Sequence, residues 1–396
     1  MSECNMSYKD TGVDYAAMDP HKRESLQAAA STDGHLARLG FSAVPWSRGE
    51  SAFLVETPLG HIGFVVEGLG TKSLVADALC HIIDVIFFPD KSFYDQVAQC
   101  NVAMAVNDLI TLGVRPAVYG QYLAVGSSSW FNDETRRHDL IEGTKKACDL
   151  ARCTWGGGET PTLKGIIVPD TADLAGATWG IIPRKDQVIN SANIRHGDAI
   201  VIIESSGIHA NGLTLARSIA ERKDGLWKKI ANYFFPEKFP LRALPDGYLT
   251  KLPDGRTYGE TLLDPTHIYV GLVEDCLNAG VHIHYAVNIT GHGWRKLMRA
   301  TQPFAYVIER LPAQLPIFDF IQKHGPVDDY EAYGNLNMGA GFALYVSKVD
   351  TIRVLEVADQ HGIGAFVAGH IEESAEKKVI IKPKGLVYTS ETLSVR

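Results

Sequence analysis

The sequence predicts a mixed α/β protein built as two domains, and three observations lead to that reading. The chain has 396 residues, a length better suited to two cores than to one. Strand-like and helix-like apolar periods alternate through both halves. Between the halves, residues 184–198 form a polar stretch that follows Pro183 and contains Gly197. The boundaries are therefore placed at 1–183 and 184–396.

The elements follow in order. A helical stretch is expected over 21–39, then two β-rich runs, 52–56 and 61–66, joined by Thr57-Pro58-Leu59-Gly60 as a hairpin. Helix-period apolar residues occupy 73–88 and 101–112. Residues 116–125 alternate like a strand, 134–151 read as a helix and 175–182 as a strand. The second half opens with a buried-looking strand, 199–204, then a glycine turn and a helix over 213–221. Residues 223–259 mix aromatics, prolines and glycines without a period and read as a loop-rich insertion. A helix over 265–279, strands over 341–346 and 365–371, and a helix over 351–361 complete the pattern.

Composition narrows the function. The chain is 45% hydrophobic and 21% charged, ordinary for a globular protein, and its formal net charge is -8. That balance argues against a nucleic-acid binder, which would show a basic face. Cys4, Cys80, Cys100, Cys148, Cys153 and Cys276 form no C-x-x-C pair and no zinc spacing. Scattered thiols behind a polar, acidic N-terminus suggest a reducing, cytoplasmic setting. No apolar run reaches the roughly 18 residues that span a bilayer, so no membrane partner is expected.

Chemistry is suggested by carboxylates set beside glycines or at the ends of apolar runs. They lie in Glu67-Gly68-Leu69-Gly70-Thr71-Lys72, Asn107-Asp108, Gly156-Gly157-Gly158-Glu159-Thr160 and Asp173-Leu174-Ala175-Gly176. Charged side chains are seldom buried without a partner, and Asp and Glu oxygens suit Mg²⁺. A divalent cation between such carboxylates and a triphosphate would turn repulsion into attraction. Lys9 and Lys72 could then touch phosphate, with glycines letting backbone N–H groups approach it. Taken singly, each segment reads more readily as a turn, loop or helix cap. There is no G-x-x-x-x-G-K-[ST] loop, nor a strand followed by G-x-G-x-x-G.

In the second half, Ser205-Ser206-Gly207-Ile208-His209-Ala210-Asn211-Gly212 lies between strand and helix, where backbone donors can meet an anion. His209 could move a proton or merely close the turn. Thr290-Gly291-His292-Gly293 is a second glycine turn able to hold phosphate, whereas His282 and His284 fit a strand edge rather than a metal site.

In order along the chain, these segments resemble the aminoimidazole ribonucleotide synthetase family, the phosphoribosylformylglycinamidine cyclo-ligases. The pieces that carry the resemblance are YKDTGVD (8–14), EGLGTK (67–72), AVNDLITLGVRP (105–116), GGGETPTL (156–163), DLAGATWGII (173–182), SSGIHANGLTLAR (205–217), LLDPTHIYV (262–270), NITGHG (288–293) and NMGAGFALYV (337–346). The resemblance implies an ATP- and Mg²⁺-dependent ligase of purine biosynthesis. Its N-terminal sheets would pair across a homodimer, with ATP in a groove near that interface. Glu67, Asp108, Glu159 and Asp173 would hold magnesium. Gly68, Gly70, Thr71, Lys72, Asn107, Gly157, Gly158, Glu159 and Thr160 would line the nucleotide. Lys9, Asp108, His209 and Asn211 would serve the reaction, and a ribonucleotide would be the substrate.

In that chemistry ATP phosphorylates the formyl amide oxygen of formylglycinamidine ribonucleotide, and the amidine nitrogen closes the imidazole ring as phosphate leaves. The chain departs from the family pattern at Glu67, usually Asp, at Gln121, in a strand that usually carries an Asp-Tyr pair, and at His292, usually Gly. Two other readings follow from those departures: a relative acting on a different amide or acid, or a silent nucleotide-binding scaffold.

Overall fold

The computed structural model describes residues 9–86, 91–224, 229, 232–233 and 243–393. Parts of the 223–259 segment, the end of the helix expected over 73–88, and Tyr8 lie outside the described residues. The mixed α/β class is borne out, with one sheet in each half.

The first sheet contains β1 (Ser42–Ala43), β2 (Phe53–Thr57), β3 (Gly60–Gly68), β4 (Arg115–Val125), β5 (Thr154–Glu159) and β6 (Ala172–Ile182). Its order is β1-β2-β3-β6-β4-β5, antiparallel except between β4 and β5. Burial along β6 alternates, so one face packs on helices while the other shows Trp179 and Ile181. Phe64 and Val66 of β3 are likewise exposed. Thr154-Trp155-Gly156-Gly157-Gly158-Glu159 forms an edge strand rather than the glycine loop its composition suggests. A Cβ at Gly158 would overlap the carbonyl oxygen of Gln121 on β4, so glycine is what allows the pairing.

The second sheet contains β7 (Ala199–Glu204), β8 (Ile283–Asn288), β9 (Phe304–Ile308), β10 (Ala340–Val346), β11 (Ala365–Glu373), β12 (Lys378–Ile381) and β13 (Leu386–Thr389), in the order β13-β12-β9-β11-β7-β10-β8. Central β7 and β10 are apolar along almost their whole length because both faces are covered.

Helices α1 (Tyr15–Ala30), α2 (Lys72–Ile86), α3 (Tyr94–Ile110) and α4 (Glu134–Leu150) belong to the first half. The helix expected over 21–39 is thus displaced: α1 ends at Ala30 and Asp33–Leu39 continues as tighter 3-10 turns. The second half carries α5 (Leu213–Glu221), α6 (Tyr258–Leu262), α7 (Val270–Asn278), α8 (Pro316–His324), α9 (Asp329–Asn335) and α10 (Thr351–Gln360).

Helix α3 is buried around nearly its whole circumference and lies between the two halves. Its buried Asn101, Asn107 and Asp108 each have a specific partner. Asn101 donates to the Tyr119 hydroxyl at 2.9 Å. Asn107 donates to the His267 carbonyl at 2.8 Å and accepts from the Tyr269 N–H at 2.9 Å. Those bonds, with Gln99 donating to Thr266 O, hold residues 264–269 along α3 without helical turns. This explains why α7 begins only at Val270, although the sequence predicts helix from residue 265. Asn107 is therefore occupied in joining the two halves.

Candidate active site

A cavity of about 840 Å³ opens where the end of β3, the middle of α3, one face of α1 and the 290–299 segment meet. Glu67, Asp108, Asn211 and the Thr290-Gly291-His292 turn all line it. So do Lys22 and His21 from α1, Glu50 from the loop before β2, and Lys296 and Arg299.

Asp108 is buried on α3 and accepts a hydrogen bond of 2.7 Å from the Asn288 side chain at the end of β8. Glu67 approaches Asp108 closely enough to share a hydrogen bond with it. Two carboxylates meeting in a dry corner cannot both ionise cheaply. Burial first, and Asp108 second, push the Glu67 carboxyl up to about 8. Lys296 and Arg299 oppose the shift but do not cancel it.

Lys296 is itself buried and donates to the Thr290 hydroxyl, and burial pulls its ammonium below the usual lysine range. Arg299 is anchored to Gly49 O at 2.9 Å and to the Ser51 hydroxyl at 3.1 Å, bringing Glu50 to the cavity wall. Glu50 also accepts from the Tyr285 hydroxyl at 2.7 Å. His292 sits at φ 68, a conformation that suits glycine better than a branched side chain. Burial, then Arg295 and Lys296, lower its ring to about 2, so it is a neutral imidazole.

The pairing of Glu67 with Asp108 makes stability depend on pH. Glu67 keeps its proton to about pH 8 in the folded chain but only to about 4.5 when unfolded. The folded state therefore binds the extra proton between those values, and stability falls as pH rises through that window. Urea midpoints of the ligand-free protein should show this fall, and Glu67→Gln should flatten it. Parallel pH profiles for the two proteins would contradict the pairing.

Other sequence-predicted residues lie elsewhere. Gly68 on β3, Ala175 on β6, Tyr122 on β4 and Glu159 on β5 are register neighbours in one row. Asp173 is two residues along β6, on the same outward face. The Gly68–Gly70–Thr71 turn packs beside it, with Leu69 N–H bonded to Leu174 O. Thr71 Oγ1 is buried with no hydrogen-bond partner among the described residues. Gly157 and Gly158 precede Glu159 on the same edge strand, and Thr160 follows just past its end. Glu67 and Asp108 thus meet inside, whereas Glu159 and Asp173 lie separately on the outward face of the first sheet, with β4 between their strands.

Two candidates are engaged in structure. Lys72 is fully buried, and its ammonium donates to His209 O at 2.9 Å and Asp264 O at 2.6 Å. His209 is buried at φ 61, and its ring accepts the Ser206 N–H at 3.3 Å, closing the turn. Lys9 lies on the surface, paired with Asp14 at 3.0 Å. Asn211 is the one residue of the 205–212 turn that lines the cavity. Lys296 and Arg299 escaped sequence reasoning. Their spacing of three after a glycine turn put them on one helical face, but a basic pair of that kind ordinarily reads as a solvated surface.

The chain is similar to known proteins over most of its length. The AIR synthase related protein N-terminal domain matches residues 63–182 and the C-terminal domain of the same family matches 195–382. A phosphoribosylformylglycinamidine cyclo-ligase of Methanococcus maripaludis is 31% identical over 371 residues, covering 94% of this chain and 93% of that protein. The cyclo-ligase of Methanocaldococcus jannaschii is 32% identical over 378 residues, with the same coverage of each. Among solved structures, E. coli HypE, a hydrogenase maturation protein, superposes with a TM-score of 0.52 at 14% identity, covering 84% of this chain and 85% of that one. T. maritima PurL complexed with ADP gives a TM-score of 0.52 at 13% identity, covering 88% of this chain and 46% of that one. The two structures share the fold, and the sequence relatives extend the likeness along almost the full length. The chain belongs to the AIR synthase family.

Proposed function

We propose that this protein is a phosphoribosylformylglycinamidine cyclo-ligase. It would use ATP to phosphorylate the formyl amide oxygen of formylglycinamidine ribonucleotide, so that ring closure expels phosphate and yields aminoimidazole ribonucleotide. The observation that carries the reading is the cavity corner where Glu67, Asp108 and Lys296 meet, in a chain 31–32% identical to cyclo-ligases along nearly its whole length.

The residues fit magnesium. Among the described residues no three His, Cys, Asp or Glu side chains form a ready cage. Magnesium, however, usually keeps several waters and takes one or two carboxylates plus substrate phosphates. Burial first, and Asp108 second, raise Glu67, and Lys296 and Arg299 give the pair only part of its counter-charge. Magnesium bound there would supply that charge and neutralise the phosphates. The protein's part is positioning and electrostatics. Lys296 and Arg299 offer cations to the anionic substrate, Asn211 and the Thr290–His292 turn orient it, and α1 covers the opening and excludes water.

The outer group extends the reading. A second copy laid on the exposed Phe64, Val66, Trp179 and Ile181 face would cover the sheet beside Gly68, Thr71, Glu159 and Asp173. There ATP would lie against a dimer interface, with the orphaned Thr71 hydroxyl available to donate.

Phosphate release from ATP tests the proposal. Release stimulated by formylglycinamidine ribonucleotide, with aminoimidazole ribonucleotide formed, is expected. Release only with other acceptors would point to a divergent enzyme, and nucleotide binding without turnover to a scaffold.

A further inference from the structure

Cys148 and Cys153 stand apart from the cavity, at the junction of α4 and β5. Helix α4 ends at Leu150 and the chain turns back through Arg152, a non-glycine residue at φ 54. Ala151 N–H bonds Ala147 O at 2.9 Å, and Cys153 N–H closes the turn on Cys148 O at 3.0 Å. This i to i+5 closure is the reversal that ends many helices, and it folds residue 153 back over residue 148. A disulfide requires Cα atoms about 4.4–6.8 Å apart, and this turn supplies such an approach without moving the backbone far. The two thiols are near enough neighbours for each to shift the ionisation of the other.

Their exposure differs in a useful way. Cys148 is buried in a core shared by the two halves, whereas Cys153 is partly open to solvent. The remaining described cysteines, Cys80, Cys100 and Cys276, are buried. Arg152 does not neutralise the pair, because its guanidinium is held by Glu274 and Asp275 at 2.8–2.9 Å. The neighbouring Cys148 holds the Cys153 thiol below its ordinary range while Cys153 and burial raise that of Cys148, so the accessible sulfur is also the more readily ionised one.

We propose that Cys148 and Cys153 form a peroxide-reactive dithiol that closes reversibly to a disulfide at the end of α4. The Cys153 thiolate attacks one oxygen of hydrogen peroxide, the O–O bond breaks, and water departs after protonation to leave a sulfenic acid. Cys148 then attacks that sulfur, the S–O bond breaks, and the Cys148 proton leaves with the hydroxyl as a second water. Two thiols are oxidised and one peroxide becomes two waters. In a reducing compartment such a bond is transient, a sensing state rather than a staple. It would lock the start of β5, the strand that ends at Glu159.

Native full-length protein treated with hydrogen peroxide, then alkylated and digested without reduction, tests this independently of any catalytic assay. Trypsin cuts after Arg152 and places the two cysteines on separate peptides that only the disulfide keeps together. The expected result is that linked pair, lost on treatment with dithiothreitol, with Cys80, Cys100 and Cys276 still alkylated. In Cys148→Ser, Cys153 should halt as a sulfenic acid that dimedone captures. A wild-type protein whose Cys153 stays reduced, is captured by dimedone, or proceeds to sulfinic acid without linking Cys148 would overturn the proposal.

Discussion

Asp108→Asn should lower substrate-stimulated phosphate release by about a hundredfold or more while leaving the fold intact. The carboxylate has two duties that this substitution separates. It accepts from the Asn288 side chain, and an asparagine can turn its amide oxygen to keep that bond. It also supplies negative charge to a corner that holds Lys296 and Glu67, and that charge is lost. A buried cation without its counter-charge is costly, so some loss of stability should accompany the loss of activity. Steady-state kinetics alongside near-UV circular dichroism distinguishes the two effects. Undiminished turnover in a folded variant would remove Asp108 from the reaction.

Lys72→Met is expected to act on stability more than on nucleotide recognition. The lysine comes from the first half and its two acceptors, His209 O and Asp264 O, come from the second. Methionine fills much of the same space but leaves His209 O without this donor and Asp264 O with only a weak Cys100 thiol at 3.9 Å, a lost bond costing about 1–3 kcal/mol each. Relief from burying an ammonium offsets part of that, so a net loss of roughly 3 kcal/mol is expected, read as a lower urea midpoint. If the midpoint holds and the KM for ATP rises instead, Lys72 is a phosphate contact after all.

That contrast shows where the sequence was legible. Alternation in 116–125 and the apolar run at 199–204 announced β4 and β7, because burial on one face or on both leaves a direct trace in residue order. Asp108 was visible as a carboxylate in an otherwise apolar helix. Thr154–Glu159 was not visible as a strand, since its glycines answer to the crowding of β4 and carry no β signature of their own. The start of α7 was misplaced for a similar reason: Asn107 and Gln99, some 160 residues earlier, hold 264–269 extended. Long-range polar partners also decide between Lys72 as clamp and Lys72 as phosphate ligand, or between His209 closing a turn and His209 facing substrate. Sequence order contains no such information. Lys296 and Arg299 became candidates only when the fold turned a basic helical face inward.

The most direct test is a crystal structure with Mn²⁺ and a non-hydrolysable ATP analogue. The account predicts an anomalous manganese peak about 2.2 Å from an oxygen of Asp108 or Glu67, with the terminal phosphate reaching the cavity beside Lys296. Manganese and triphosphate bound elsewhere, with that carboxylate pair untouched and the cavity open, would contradict it.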